Sequence, residues 1–197
     1  LSLRPKKNNI MQEEVELVLE DTKEQMKKAI DHLDYELGKI RAGKANPKVL
    51  DDVKVDYFGT ATPLSQVANI NVPDPRTIAI RPWEKSMIPA IERAIMAANL
   101  GMNPDNNGEM IRILVPPLTE ERRRDLAKQA KATCENTRIA VRNLRRDAIE
   151  EFKKMKKDGL AEDAQKDAED QAQKIHDANI KKIDEMYAAK EKDIMTV

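Results

Sequence analysis

Nine of the ten prolines lie between Pro47 and Pro117, and the chain on either side of that stretch is long, charged and patterned like helix. Proline lacks the amide hydrogen that a helix interior uses, and its ring clashes with the preceding turn. The distribution therefore separates two kinds of chain: helical rods at both ends, and a compact mixed domain inserted between the first rod and the second. The chain passes between them twice, at Arg41–Pro47 and at Val115–Thr119. Two short crossings are expected to act as a hinge, so that function involves movement of one body against the other.

From Met11 to Ile40, apolar or small residues recur at Val15, Val18, Thr22, Met26, Ala29, Leu33, Leu37 and Ile40. The alternating steps of three and four put them on one face of an amphipathic helix. A second rod starts after Pro116-Pro117, with Thr119 placed as N-cap and Glu120 and Glu121 where the helix dipole favours acids. It is expected to run to Lys157, where Asp158-Gly159 ends it, a length of about 58 Å at 1.5 Å per residue. Its seam reads Ala127, Ala130, Cys134, Val141, Leu144, Ala148, Phe152 and Met155. A third rod, Glu162 to Ile194, carries Ala168, Ala172, Ile175, Ile183 and Met186 at compatible spacing. A helix with one narrow apolar stripe is not stable alone in water, and packing three stripes together gives an elongated antiparallel three-helix bundle. The alternative is that the stripes are seams between chains; the short break at Asp158–Ala161 favours a hairpin within one chain.

The centre changes period. Val53–Tyr57 and Ala68–Val72 alternate with period two, and Thr77–Ile80 is β-branched and apolar. Gly59-Thr60 and Asp74-Pro75 read as turns. Ser86 is placed to cap a helix that tolerates Pro89 in its first turn and runs to about Asn99. The Asn103–Gly108 loop leads to a last strand, Met110–Val115, and Trp83 is expected to pack inside this domain. The fold class is α+β: residues 11–42 and 118–197 form the bundle, residues 43–117 an inserted β/α/β domain, and residues 1–10, which lack periodicity, a disordered extension.

Composition narrows the function. Charged residues make up 36% of the chain and aromatics 3%, which suits long thin helices better than an average enzyme. Thirty-five Lys and Arg balance thirty-five Asp and Glu, so any nucleic-acid signal must be local. Cys134 is the single cysteine, which excludes an internal disulfide and fits a reducing compartment. No apolar run reaches the roughly 18 to 20 residues of a membrane span, and no signal-peptide core is evident. The expected setting is the cytoplasm, away from membranes.

Local charge points to the second rod. Between Lys128 and Arg146 there are six bases (Lys128, Lys131, Arg138, Arg142, Arg145, Arg146) against one acid, Glu135. Lys131, Arg138, Arg142 and Arg145 fall within about 60° of one another around a helix. The stripe reads either as a phosphate-binding surface or as a solvated face paired with acids of the neighbouring rods. With few rings to stack bases, contact with RNA would be to backbone and shape. Lys39, Arg41, Lys44 and Lys48 form a second basic group around Gly43, which reads equally as an ordinary capped helix C-terminus. Catalysis has little support. His32 and His176 sit in helical patterns, Cys134 lies on an apolar seam, and no phosphate loop, metal-ligand spacing or nucleophile elbow is present.

Five segments, in order, resemble the bacterial ribosome recycling factor family: Lys39-Ile-Arg-Ala-Gly43-Lys-Ala-Asn-Pro47, Tyr57-Phe-Gly-Thr-Ala-Thr-Pro-Leu64, Ala94-Ile-Met-Ala97 with Leu100-Gly-Met-Asn-Pro104, Pro116-Pro-Leu-Thr-Glu-Glu-Arg-Arg123, and Val141-Arg-Asn-Leu-Arg-Arg-Asp147. The resemblance runs from about Met11 to the C-terminus. It implies an L-shaped three-helix bundle with an inserted β/α/β domain, and a non-enzymatic monomer without cofactor or metal. It further implies binding to ribosomal RNA of the large subunit after termination. With elongation factor G and GTP, the ribosome would then be split into subunits, releasing mRNA and tRNA. By the family motif, Arg142, Arg145 and Arg146 would contact rRNA; Arg138 and Lys131 join them through the stripe alone. Arg41, Ala42, Gly43 and Lys44, with Val115, Pro116, Pro117 and Leu118, would form the hinge. Lys44 stands where many members carry arginine, which keeps the charge but not the bidentate fork, and residues 1–10 have no family counterpart. A helical scaffold that binds proteins along its rods is the competing class, and would show salt-insensitive partners and no ribosome association.

Overall fold

In a computed structural model of the protein, which describes residues 4–196 and side chains from residue 9, the chain divides into two compact units. One comprises the segment ending at Ile40 and the segment starting at Arg124; the other is Arg41–Arg123.

The first unit is built from three long helices: α1 (Arg4–Lys39), α3 (Glu120–Lys157, whose first turn belongs to the other unit) and α4 (Glu162–Met195). Residues 4–10 are helix, which corrects the expected disordered extension; residues 1–3 of that stretch lie outside the described residues. Met11, Val15 and Leu19 of α1 pack against Ala148 and Phe152 of α3 and against Ala168 and Ala172 of α4. The start of α1 thus meets the end of α3 and the start of α4, so α3 runs antiparallel to both. Further along, Met26, Leu33, Leu37, Leu126, Ala130, Cys134, Val141 and Ile183 are buried as the same seams continue. Leu19, not Val18, takes the deeper position in the first seam. At the α3–α4 corner Gly159 adopts φ 115°, a conformation open to glycine, and Leu160 N–H bonds back to Met155 O at 2.9 Å.

The second unit holds a two-stranded sheet, β1 (Lys54–Tyr57) with β2 (Thr60–Pro63), and a four-stranded antiparallel sheet. The latter has the order β3-β4-β6-β5, from β3 (Ala68–Asp74), β4 (Thr77–Pro82), β5 (Pro104–Asn106) and β6 (Ile111–Leu114). Helix α2 (Ile88–Ala97) covers one face, and Ile91 and Ile95 meet Ile78, Ile80, Ile111 and Ile113 in a core fully closed to solvent. Four details differ from the sequence reading. Thr60 opens β2 rather than a turn, because Phe58 and Gly59 make the tight hairpin with φ of 49° and 84°, the pattern of a two-residue type I′ turn. The Asn103–Gly108 loop contains β5, whose three residues are too few to show a period. Ser86 caps nothing: a single 3₁₀ turn, Lys85–Met87, feeds α2, which has no side-chain cap. Trp83, one residue past the end of β4, is 68% exposed, against the expectation that it packs inside.

Candidate nucleic-acid interface

Helix α3 carries the candidate site. Pro116 and Pro117 end what precedes it, and Thr119 Oγ1 accepts from Arg122 N–H at 3.1 Å, the hydrogen bond of an N-cap. The buried face is laid down by Leu126, Ala130, Cys134, Thr137, Val141, Ala148 and Phe152. Burial among apolar side chains pushes the Cys134 thiol above its ordinary range, opposite to what a nucleophile needs. Thr137 disposes of its hydroxyl within the helix, donating to Thr133 O at 3.2 Å.

The basic stripe beside this face divides into two halves. On the half turned toward α4, Arg138 lies in a fork: Nε and NH2 donate to Asp184 Oδ1 at 3.1 and 2.8 Å, and NH1 to Glu135 Oε2 at 3.3 Å. Its side chain is only 16% exposed. Arg145, half-buried, donates from NH1 to Gln173 Oε1 on α4 at 3.0 Å. The other half faces solvent. Lys128, Lys131, Arg142 and Arg146 are exposed. Arg142 NH1 reaches Glu135 Oε1 at 3.2 Å, whereas no described residue pairs with Lys128, Lys131 or Arg146. Glu135 thus serves two arginines. Hydrogen bonding from Arg142, and then from Arg138, holds its carboxyl below the usual glutamate range.

The structure therefore brings all five stripe residues onto one side of α3 and sorts them by role. Arg138 is locally neutralised and ties α3 to α4. Lys131 and Arg146 have no ion-pair partner among the described residues, and Arg142 is half-neutralised by Glu135. Lys128 belongs to the same open face by its angle, since 14 residues separate it from Arg142. Gln173 is the neighbour that sequence reasoning missed. It lies 28 residues from Arg145 on another helix, and no local spacing connects the two.

The residues read as a hinge are packed within the second unit. Arg41 donates from NH1 to Leu100 O, Ala45 N–H to Pro75 O at 2.7 Å, and Val115 N–H to Arg76 O at 2.7 Å. Arg76 Nε returns a bond to Val115 O at 3.2 Å. Ala42 and Val115 are buried, Lys44 and Leu118 are half-buried, and Pro116 and Pro117 are exposed. Gly43 has φ 72°, and a Cβ there would stand 2.7 Å from Leu118 Cγ, so the two crossings touch through a contact that only glycine permits.

Among the described residues, no group of three or more His, Cys, Asp or Glu is placed to hold a metal ion, and no helix is long and apolar enough to cross a membrane. His32 is exposed. His176 is buried in α4, with Nδ1 2.9 Å from Asp177 Oδ1.

The family model described as ribosome recycling factor matches residues 33–195. A ribosome-recycling factor of Parabacteroides distasonis is 61% identical over 175 residues, covering 88% of this chain and 94% of its own. That of Flavobacterium johnsoniae is 56% identical over 187 residues, covering 95% and 100%. A solution structure of the ribosome recycling factor superposes with a TM-score of 0.79 at 38% identity, covering 93% of this chain and 98% of that one. A second structure, of the T. thermophilus factor with E. coli elongation factor G bound to the E. coli post-termination complex, gives 0.64 at 40% identity, covering 92% and 99%.

Proposed function

The chain belongs to the ribosome recycling factor family, and from that premise we propose that its helical unit binds ribosomal RNA of the large subunit through the open basic face of α3. It is a non-enzymatic translation factor by family. The observation that carries the reading is the set of exposed cations Lys128, Lys131, Arg142 and Arg146 on one side of a rigid 38-residue helix. A helix places cations at fixed separations along a line, and a line of cations suits phosphates better than it suits any protein core. Arginine adds a planar fork that engages phosphate oxygens in pairs. No tryptophan, tyrosine or phenylalanine lies on α3 before Phe152, which is buried, so the face reads backbone and shape rather than stacked bases.

The related factor found with elongation factor G on a post-termination complex supports the same setting for this protein. On this reading it acts after termination and, with elongation factor G and GTP, separates the subunits so that mRNA and tRNA leave. It works as a monomer whose two units move about Arg41–Lys44 and Val115–Leu118.

Co-sedimentation with isolated large ribosomal subunits over a salt series tests the binding surface. Arg146 is the cleanest probe, because no described residue would lose a partner when it is replaced. Arg146→Ala should weaken binding and lower the slope of log K against log salt by about one, as expected for one lost phosphate contact. An unchanged slope and affinity would remove the open face from the interface.

A further inference from the structure

Arg138, Arg142 and Arg145 are each anchored by a neighbour, and the anchors differ in charge. Arg138 is held by Asp184 and Glu135, and Arg142 by Glu135, so both spend charge on carboxylates. Arg145 is held by an amide, Gln173 Oε1, at 3.0 Å. An amide fixes a guanidinium without neutralising it.

The amide is itself oriented. Gln173 Nε2 donates to Asp177 Oδ1 at 2.8 Å, one turn further along α4. The same oxygen lies 2.9 Å from His176 Nδ1, which donates to it since a carboxylate only accepts. Arginine has donors only, so just one amide orientation serves both neighbours: oxygen to Arg145, nitrogen to Asp177. Asp177 therefore sets which end of Gln173 faces α3.

A second nitrogen of the guanidinium is withdrawn from solvent as well. Arg145 Nε is buried and has no hydrogen-bond partner among the described residues. A buried donor without a partner is costly, and such groups concentrate where a side chain is held for something outside the fold. With NH1 tied to Gln173 and Nε covered, NH2 is the donor group left to meet an external acceptor.

We propose that Gln173, oriented by Asp177, is a positioning residue for ribosome binding: it holds the Arg145 guanidinium in place with its charge intact, so that NH2 meets a phosphate of ribosomal RNA. The proposal rests on the reading of the α3 basic stripe as the RNA-binding surface.

A double-mutant cycle on large-subunit binding tests it, with urea unfolding run in parallel. Gln173→Met keeps the side chain's length and packing and deletes both amide bonds. It should weaken binding about fivefold, the worth of one positioned hydrogen bond, lower the salt slope toward that of Arg145→Ala, and leave the urea midpoint near that of the unaltered protein. In the Arg145→Ala background the same change should cost less than twofold, since a residue acting through Arg145 has nothing left to position. Gln173→Glu, which neutralises Arg145 and sets a second carboxylate against Asp177, should also bind more weakly.

Equal losses from Gln173→Met in both backgrounds would overturn the proposal, and so would a gain of affinity in Gln173→Glu. If Arg145→Ala binds weakly but Gln173→Met binds normally, the positioning role fails and the basic stripe stands. If Arg145→Ala itself binds normally, Arg145 leaves the interface and the proposal goes with it.

Discussion

Two glycines a few residues apart show how little residue type says without backbone angle. Gly38 sits in the last turns of α1 with nothing within 4 Å of the position a Cβ would take. Gly43 has φ 72° and its Cβ position is crowded by Leu118. Gly38→Ala should therefore stabilise the protein by about 0.5–1 kcal/mol, chiefly by lowering the entropy of the unfolded chain. Gly43→Ala should destabilise it by roughly 1–3 kcal/mol from the strained backbone alone. Thermal unfolding of the two variants gives shifts of opposite sign if this is right; shifts of the same sign refute it. Asp177 carries a pH prediction. Hydrogen bonds from His176, then Gln173, hold its carboxyl below the usual aspartate range. Its folded value is depressed, so its contribution to stability is present above the unfolded value, near 3.9, and disappears as pH falls through the folded value. Asp177→Asn should accordingly be less stable than the unaltered protein at neutral pH, with the gap closing on acidification below about pH 4. A gap that is constant with pH would show that the carboxylate charge plays no part.

At the scale of the element, α3 does two jobs on two sides of one cylinder. Its narrow buried face explains why small residues, Ala130, Cys134 and Ala148, alternate with a few large ones such as Phe152. Close helix approach needs the small ones, and the large ones fill what remains. Phe152 is fully buried within the cluster formed by α1, α3 and α4. Phe152→Ala should cost about 3–5 kcal/mol, read as a lowered urea midpoint, while the far basic face keeps its cations. The periodicity of this helix, its start at the double proline and its end at Asp158-Gly159 were all legible, because they depend on local chemistry. The division of its basic stripe was not. Arg138 and Arg145 sit at the edge of the stripe nearest the seam, and only the partner on α4, Asp184 or Gln173, decides whether such a side chain is anchored or free.

For the whole molecule, the two units have separate cores, one among α1, α3 and α4 and one between α2 and its sheet. A lesion in one core should stay there. Ile91→Ala, at a fully buried site of the second unit, should cost about 2–5 kcal/mol and speed amide exchange across Arg41–Arg123, leaving the mid-helix amides of α3 and α4 near their native rates. Exchange that rises equally in both units would show one cooperative body. If the two units move about their double connection, Gly43→Val should impair subunit splitting more than large-subunit binding; equal losses would argue against that movement. The sequence alone determined the division into rods and insert, since proline's missing donor and the 3.6-residue period act locally and leave marks that can be counted. It also carried the family, through five segments in order. The structure also extends α1 back to Arg4. Tertiary structure alone decided that Trp83 is exposed, that the Asn103–Gly108 loop adds a strand, and that Gln173 meets Arg145. Each of these turns on which surface lies opposite, and a partner distant in sequence leaves no periodicity to read.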